Sequence, residues 1–311
     1  MTEQKKLIID TDIGDDIDDA FAILLSMKLK HEIVGITTVL GNTAARGKIA
    51  KRLLTEYGNG YENTPVYCGY SGDFDPSSDP SYLSQYTNEL DNDIYAPVSE
   101  NSEDAIDFII ESCYKYGRSL TIVAIGPLTN IARVIKKDKN ALALAGEVVL
   151  MGGAYFSQYA DWNVSCDPEA ARCVFEGASS VTAIGADVTH TLTLPKSIDK
   201  IISEYSGKNG GVIYVRKLYK AWKNATKKEL AVLHDPLAVC VANNNDVCSY
   251  LTSPVAVVTD GYARALTIST IEYKKAFMNT AYRGFDFSAN HKLAKTVKTN
   301  VIFGQFKKCF Q

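Results

Sequence analysis

Residues 7–25 read LIIDTDIGDDIDDAFAILL, and the architecture turns on this stretch. Aspartates stand at 10, 12, 15, 16, 18 and 19, with Leu7-Ile8-Ile9 before them and Ala20-Phe21-Ala22-Ile23-Leu24-Leu25 after them. The first run is short and apolar, as expected of a buried parallel strand. The second is a strong helix former that continues to about Leu29. The aspartates therefore fill a strand-to-helix turn, broken at Gly14, at the carboxyl end of a strand. Open α/β sheets place their ligands there. Two carboxylates about 5 Å apart repel by roughly 3 kcal/mol at an effective dielectric near 20. Capping and the helix dipole explain Asp16, Asp18 and Asp19. They do not explain Asp10 and Asp12, which precede the turn. A hard divalent cation held by several of these oxygens is the reading that covers the group. The EF-hand pattern does not fit: counted from Asp10, Gly14 falls fifth, Asp15 sixth and Phe21 twelfth.

Outward from this turn, strand and helix patterns alternate. Strands are predicted at 33–40 (IVGITTVL), 63–68, 120–125, 148–151, 181–184, 254–258 and 299–303. Helices are predicted at 44–57, 103–116, 127–137, 168–176, 210–223 and 235–242. Residues 69–102, rich in Ser, Asp, Pro, Asn and Tyr, read as a long surface excursion beside a site. The alternation predicts an α/β fold: an open, mostly parallel β-sheet flanked by helices, in one domain over 1–311.

Bulk properties exclude several functions. A net charge of −3 gives no general attraction to nucleic acid or to an anionic membrane. No apolar run approaches the roughly 18 residues of a membrane span. The N-terminus enters its first strand without a signal-peptide core. Cysteines at 68, 113, 166, 173, 240, 248 and 309 lack CxxC spacing. That suits reduced, structural thiols in a cytoplasmic protein.

Polar residues gather at further strand ends and helix starts. Gly41-Asn42-Thr43 follows the second strand, and Gly126-Pro127-Leu128-Thr129-Asn130 follows LTIVAI. Met151-Gly152-Gly153 leads to Asp161-Trp162-Asn163 and Asp167-Pro168-Glu169, and His234-Asp235-Pro236 opens a helix. Each has an ordinary structural use as a turn or cap. Together they would line one rim of a parallel sheet.

These motifs, from residue 7 to about 240, resemble the calcium-dependent nucleoside hydrolases, often called inosine-uridine preferring. The matching segments are Asp10-Thr11-Asp12-Ile13-Gly14, Asp18-Asp19-Ala20-Phe21-Ala22, GN at 41–42, GPLTN at 126–130, MGG at 151–153, DPEAA at 167–171 and HDP at 234–236. After about residue 250 the resemblance fades. It implies a Rossmann-like fold, hydrolysis of ribonucleosides to ribose and free base, and a homodimer or homotetramer. It implies Ca²⁺ held by Asp12, Asp19, Asp235 and the backbone carbonyl of Thr129. Asp12 would also activate the Ca²⁺-bound water. Asp18 and Asn42 would hold ribose hydroxyls, as would Asp161 and Asn163, with Trp162 between them. His234 would lie near the leaving base. Met151, Tyr219 and Trp222 are further candidate substrate contacts, with Phe156 and Tyr159 as alternatives for the base.

The chemistry agrees with these residue types. Cleavage of an N-glycosidic bond passes through an oxocarbenium-like state, which negative groups stabilise. A cation makes water a competent nucleophile near neutral pH. Two departures stand out. The aspartate turn is two residues longer than the common form, so Asp16 is the alternative to Asp18 in a ribose or metal role. An asparagine of the pattern falls at Tyr155, which leaves one ribose contact in question. The competing readings are a haloacid-dehalogenase-like Mg²⁺ phosphatase, built on Asp10-Thr11-Asp12, and an inactive calcium- or nucleoside-binding protein.

Overall fold

The computed structural model describes residues 5–86, 94–178, 180–269 and 291–311. The aspartate turn joins β1 (Lys6–Thr11) to α1 (Asp18–Lys28). Then follow β2 (Glu32–Thr38), α2 (Thr43–Tyr57), β3 (Val66–Cys68), α3 (Ser102–Tyr116), β4 (Leu120–Ala124), α4 (Thr129–Lys137) and α5 (Ala141–Leu144). The middle of the chain forms β5 (Glu147–Met151), α6 (Trp162–Cys166), α7 (Pro168–Gly177), β6 (Thr182–Ile184), α8 (Ala186–Thr189) and α9 (Lys196–Glu204). The remainder forms α10 (Gly210–Thr226), α11 (His234–Asn243), β7 (Cys248–Ser253), β8 (Val255–Val257), β9 (Thr267–Ser269), β10 (His291–Val297) and α12 (Thr299–Lys307).

Among the described residues, eight strands make one sheet in the order β3-β2-β1-β4-β5-β6-β10-β7. Every neighbouring pair is parallel except β10 with β7. The open, mostly parallel sheet expected from the alternation is therefore present. Leu7, Ile8 and Ile9 are wholly buried, as a central strand covered on both faces requires. Leu7 and Ile9 pack with residues of α1, α2, α10, α11 and α12. Ile8 packs on the other face with α3, α4, α5 and α7. The chain steps from β1 to β2 on one side and returns to β4 on the other. That reversal opens a crevice beyond the carboxyl end of β1, where ligands of such sheets bind.

Three expectations need correction. Residues 299–303 are not a strand but the start of α12. Ile302, Phe306 and Phe310 fall four apart on one buried stripe, and Phe306 meets Phe21 edge to face, so the helical period prevails over the short Val-Ile-Phe run. The strand at 254–258 exists as β8, but among the described residues it pairs with β9 in a separate two-stranded sheet. Strands β7 and β10 and helix α9 were not anticipated. All seven cysteines are free thiols, and none of them is exposed. No helix among the described residues is long and apolar enough to cross a membrane.

Candidate active site

The lengthened aspartate turn is held from behind. Arg46, on α2, has no solvent exposure. Its Nε donates to the Leu40 carbonyl (2.7 Å), its Nη1 to the carbonyls of Asp12 and Ile13, and its Nη2 to Asp15 Oδ2 (2.8 Å). The Leu83 N–H donates to the other Asp15 oxygen at 2.7 Å. Gln85 Nε2 donates to the carbonyls of Asp15 and Asp16. Gly14 takes φ +125°, and a Cβ there would press on Leu83 and Ile49. The extra residues are thus used structurally. Asp15 is paired with Arg46, Ile17 is buried in the core, and Asp16 sits at the rim 3.7 Å from Lys228 Nζ.

The other aspartates converge. Asp18, Asp19 and Asp235 offer carboxylate oxygens within 4.8 Å of one another, and all three are buried. Asp18 and Asp19 open α1, while Asp235 opens α11 and donates its N–H to Asp18 Oδ2 at 3.3 Å. The Thr11 hydroxyl donates to Asp19 Oδ1. Asp12, just past β1, faces the same space. Burial pushes its carboxyl well above the usual range; the charge of Asp19 adds to this and Arg46 opposes it. Burial also pushes up Asp18, Asp19 and Asp235, each further raised by neighbouring aspartates. These carboxyls repel one another in a low-dielectric setting, and the donors are all hard oxygens. Such a set fits a divalent cation of the calcium or magnesium type.

The cluster lines a cavity of about 400 Å³. Four strand ends supply its walls: Asp12 after β1, Ile125 after β4, Met151 at the end of β5 and Ala186 after β6. Gly126 lets β4 approach closely, since a Cβ there would stand 3.0 Å from Asp12 Oδ1. Asn163 Nδ2 bridges the carbonyls of Ile125 (3.0 Å) and Met151 (3.1 Å), which fixes its amide. Asp161 is buried and caps α6 through Val164 N–H. Trp162 lines the cavity and meets Phe74 edge to face.

The lining also carries aromatic and basic side chains, Tyr159, Trp162, His190, His234 and Lys228. His234 Nδ1 lies 2.6 Å from the Thr189 hydroxyl. Its ring meets His190 edge to face at 5.3 Å, and His190 in turn meets Tyr159 at 5.4 Å. Burial, with smaller contributions from His190 and Lys228, pushes the His234 imidazole down to about 3. Asp79, Pro80 and Ser81 complete the rim. The excursion at 69–102 therefore does border the site, although its residues 87–93 lie outside the described ones.

The structure thus brings Asp12, Asp16, Asp18, Asp19, Met151, Asp161, Trp162, Asn163, His234 and Asp235 to one cavity. Other candidates stand apart from its lining. Asn42 caps α2 through Ala45 N–H. The Thr129 hydroxyl donates to Asp167, and Ile125 is the residue of that segment that reaches the cavity. Tyr219 and Trp222 are buried and stacked on each other, with the Tyr219 hydroxyl donating to Asp199. Their helical stripe serves the core. Tyr155 is buried and donates to the Gly152 carbonyl, so no amide replaces it there. Sequence reasoning missed His190, Lys228 and Arg46. The signal for His190 was its position just past a strand end, the same signal that selected the other segments.

Fold and cavity define an α/β enzyme of Rossmann-like topology with an acidic, cation-ready site at its strand ends. The family model for inosine-uridine preferring nucleoside hydrolases matches residues 7–303. The chain belongs to that family, and it is accordingly a ribonucleoside hydrolase, a glycosidase. The match runs well past residue 250, where recognisable motifs end, and it sets aside the phosphatase reading. Uridine nucleosidase 1 of Arabidopsis thaliana is 32% identical over 272 residues, covering 83% of this chain and 80% of that protein. The inosine-uridine preferring nucleoside hydrolase of Leishmania major is 29% identical over 283 residues, covering 87% and 89%. A purine-preferring ribonucleoside hydrolase from Gardnerella vaginalis shares the fold, with a TM-score of 0.76, 29% identity and 98% coverage of each chain.

Proposed function

We propose that the enzyme cleaves ribonucleosides such as uridine and inosine with Ca²⁺ in the carboxylate cluster. One observation carries this reading: a single cavity is lined both by buried carboxylates and by two imidazoles in edge contact. A nucleoside has matching parts, a sugar that becomes cationic and a base that departs with an electron pair. Asp12, Asp19 and Asp235 serve as metal ligands, and Asp18 faces the ribose hydroxyls. Ile125, rather than Thr129, supplies the backbone carbonyl, because it is the one that borders the cavity beside Asp12.

When bound, the cation supplies Lewis-acid polarisation of water and of ribose hydroxyls. Calcium suits the task because it tolerates six to eight oxygens in flexible geometry. Asp12 accepts the proton of the attacking water. The surrounding carboxylates stabilise positive charge as it develops on the sugar. Asn163, with its amide fixed between two carbonyls, and Asp161 position the ribose. Tyr159 and Trp162 flank the base, and His234 directs Nε2 toward it while Thr189 holds Nδ1. The test is a product assay over a ribonucleoside panel, with metal-stripped enzyme and with Ca²⁺ restored. Free ribose and base should appear only with Ca²⁺. No ribose from any ribonucleoside at saturating Ca²⁺ would overturn the reading.

A further inference from the structure

We propose that His190 is a catalytic residue, the proton donor to the departing base, with His234 as its half-buried neighbour rather than the sole acid. The proposal rests on the hydrolase reading above and extends it. His190 and His234 both line the cavity. They differ in what surrounds them. His234 has one nitrogen occupied by the Thr189 hydroxyl at 2.6 Å and lies against α8. It is only half-buried, but that occupied nitrogen leaves it less free than an exposed ring to turn toward substrate and solvent. His190 is exposed, and no hydrogen-bonding side chain occupies its ring among the described residues. Its ring is held by edge contacts alone, with His234 on one side and Tyr159 on the other. It can therefore meet substrate and exchange protons with solvent.

The local chain explains the arrangement. Helix α8 starts directly after β6, so residues 186–190 turn over the end of the sheet. Thr189 points inward to anchor His234, and the next residue, His190, reaches the cavity mouth. One short segment thus sets both imidazoles. The charged and titratable groups around His190 are His234 on α11, Lys228 after α10, Tyr159 after β5 and Asp187 on its own helix. Lys228 is itself 3.7 Å from Asp16 across the rim, which draws part of its charge away.

The step balances. The water oxygen bonds to C1′ and its proton passes to Asp12. The C1′–N bond breaks, and its electron pair stays on the base. The His190 imidazolium gives its proton to a ring nitrogen or exocyclic oxygen of the base and becomes neutral. Solvent restores that proton after the base leaves.

The test compares two leaving groups, the base of inosine or uridine and the nitrophenolate of 4-nitrophenyl riboside, a stable anion that needs no proton. The variants are H190A and H190F, and Phe preserves ring packing against His234 and Tyr159 but carries no proton. General-acid contributions are typically about 10²- to 10⁴-fold. Both variants should lose at least about 100-fold in kcat on inosine and uridine, and less than about threefold on the nitrophenyl riboside. Near-normal inosine turnover by H190F would overturn the proposal and make His190 a packing residue. Equal losses on both leaving groups, or no loss in H190A, would overturn it as well. If the wild type cleaves neither substrate, the failure lies with the hydrolase reading itself.

Discussion

Arg46 Nη2 lies 2.8 Å from Asp15 Oδ2, with the guanidinium wholly buried directly behind the metal-candidate aspartates. The same guanidinium holds the backbone carbonyls of Asp12, Ile13 and Leu40. The longer turn thus brings its own countercharge, and among the described residues Asp12, Asp18, Asp19 and Asp235 form no ion pair with a basic side chain. Breaking a buried pair by removing one partner typically costs about 3–5 kcal/mol. Arg46→Met should lose stability on that scale in denaturant unfolding with Ca²⁺ present. Arg46→Lys should lose less, because it keeps the charge but not the fork that reaches several carbonyls. A loss below about 1 kcal/mol for Arg46→Met would show that the turn holds its shape without the pair.

Removal of metal should act in the same region. Without a cation the cluster leaves buried, mutually repelling carboxyls. A ligand present at a hundred times its Kd stabilises the native state by about 2.7 kcal/mol. Chelator should therefore lower Tm by several degrees and abolish turnover, and added Ca²⁺ should restore both. Full activity in excess chelator, with no metal found by elemental analysis, would rule out the calcium assignment.

Much of this was legible in the sequence because two patterns are local. Leu7-Ile8-Ile9 followed by aspartates and an apolar helix forces a strand-turn-helix, and five polar strand-end motifs mark one rim. Strands β7 and β10 were not legible. β7 is an edge strand with a mixed burial pattern, and β10 reads HKLAKTV, with lysines facing out at 292 and 295. Neither offers a clean apolar run. Arg46 looks like an ordinary helical arginine, since spacing does not reveal that its side chain turns inward. The Tyr219 and Trp222 stripe had the helical spacing of either a core or a stacking surface, and burial decides for the core. Asp16 and Asp18 were interchangeable on spacing alone. The Arg46–Asp15 pair separates them, because it fixes the turn so that Asp18 joins Asp19 and Asp235.

The sugar offers an independent check. A site built to bond a hydroxyl leaves its own polar groups unpaired when that hydroxyl is missing, and such sites discriminate by about 10⁴-fold. With Asp18 and a cation directed at the ribose, uridine should exceed 2′-deoxyuridine by roughly that factor in kcat/KM. Equal values for the two would remove Asp18 and the metal from the 2′-hydroxyl.

Stability should also depend on pH far from the site. His31 is buried, with Nδ1 3.0 Å from Ser26 Oγ and Nε2 3.1 Å from Asn243 Oδ1. Burial pushes its imidazole below the ordinary 6.5, and the Asn243 bond opposes the shift only in part. The unfolded chain then takes up a proton at a higher pH than the native state does. The neutral ring's stabilising contribution is therefore complete above about pH 6.5 and is lost as pH falls through the lowered native value. The Tm gap between wild type and His31→Gln should narrow from about pH 8 to about pH 5. A gap that widens on acidification would mean that His31 is charged in the native state.

The carboxylates and imidazoles of the cavity should separate in their mutants. Asp12 acts on the attacking water, so Asp12→Asn should slow every substrate, whatever its leaving group. Loss of a general base is typically worth about 10²- to 10⁴-fold. Asp12 is also a proposed ligand, so Ca²⁺ content must be measured in the variant, and the rate compared at matched occupancy. His234→Ala should slow inosine and uridine far more than 4-nitrophenyl riboside, because it acts where the base departs. Asp235 is its immediate neighbour, and calcium retention is again the control. If His234→Ala slows both leaving groups equally with its calcium intact, His234 positions the sugar. If Asp12→Asn spares the nitrophenyl riboside while slowing inosine, then Asp12 acts on the base, and the assignment of water to the carboxylates is wrong.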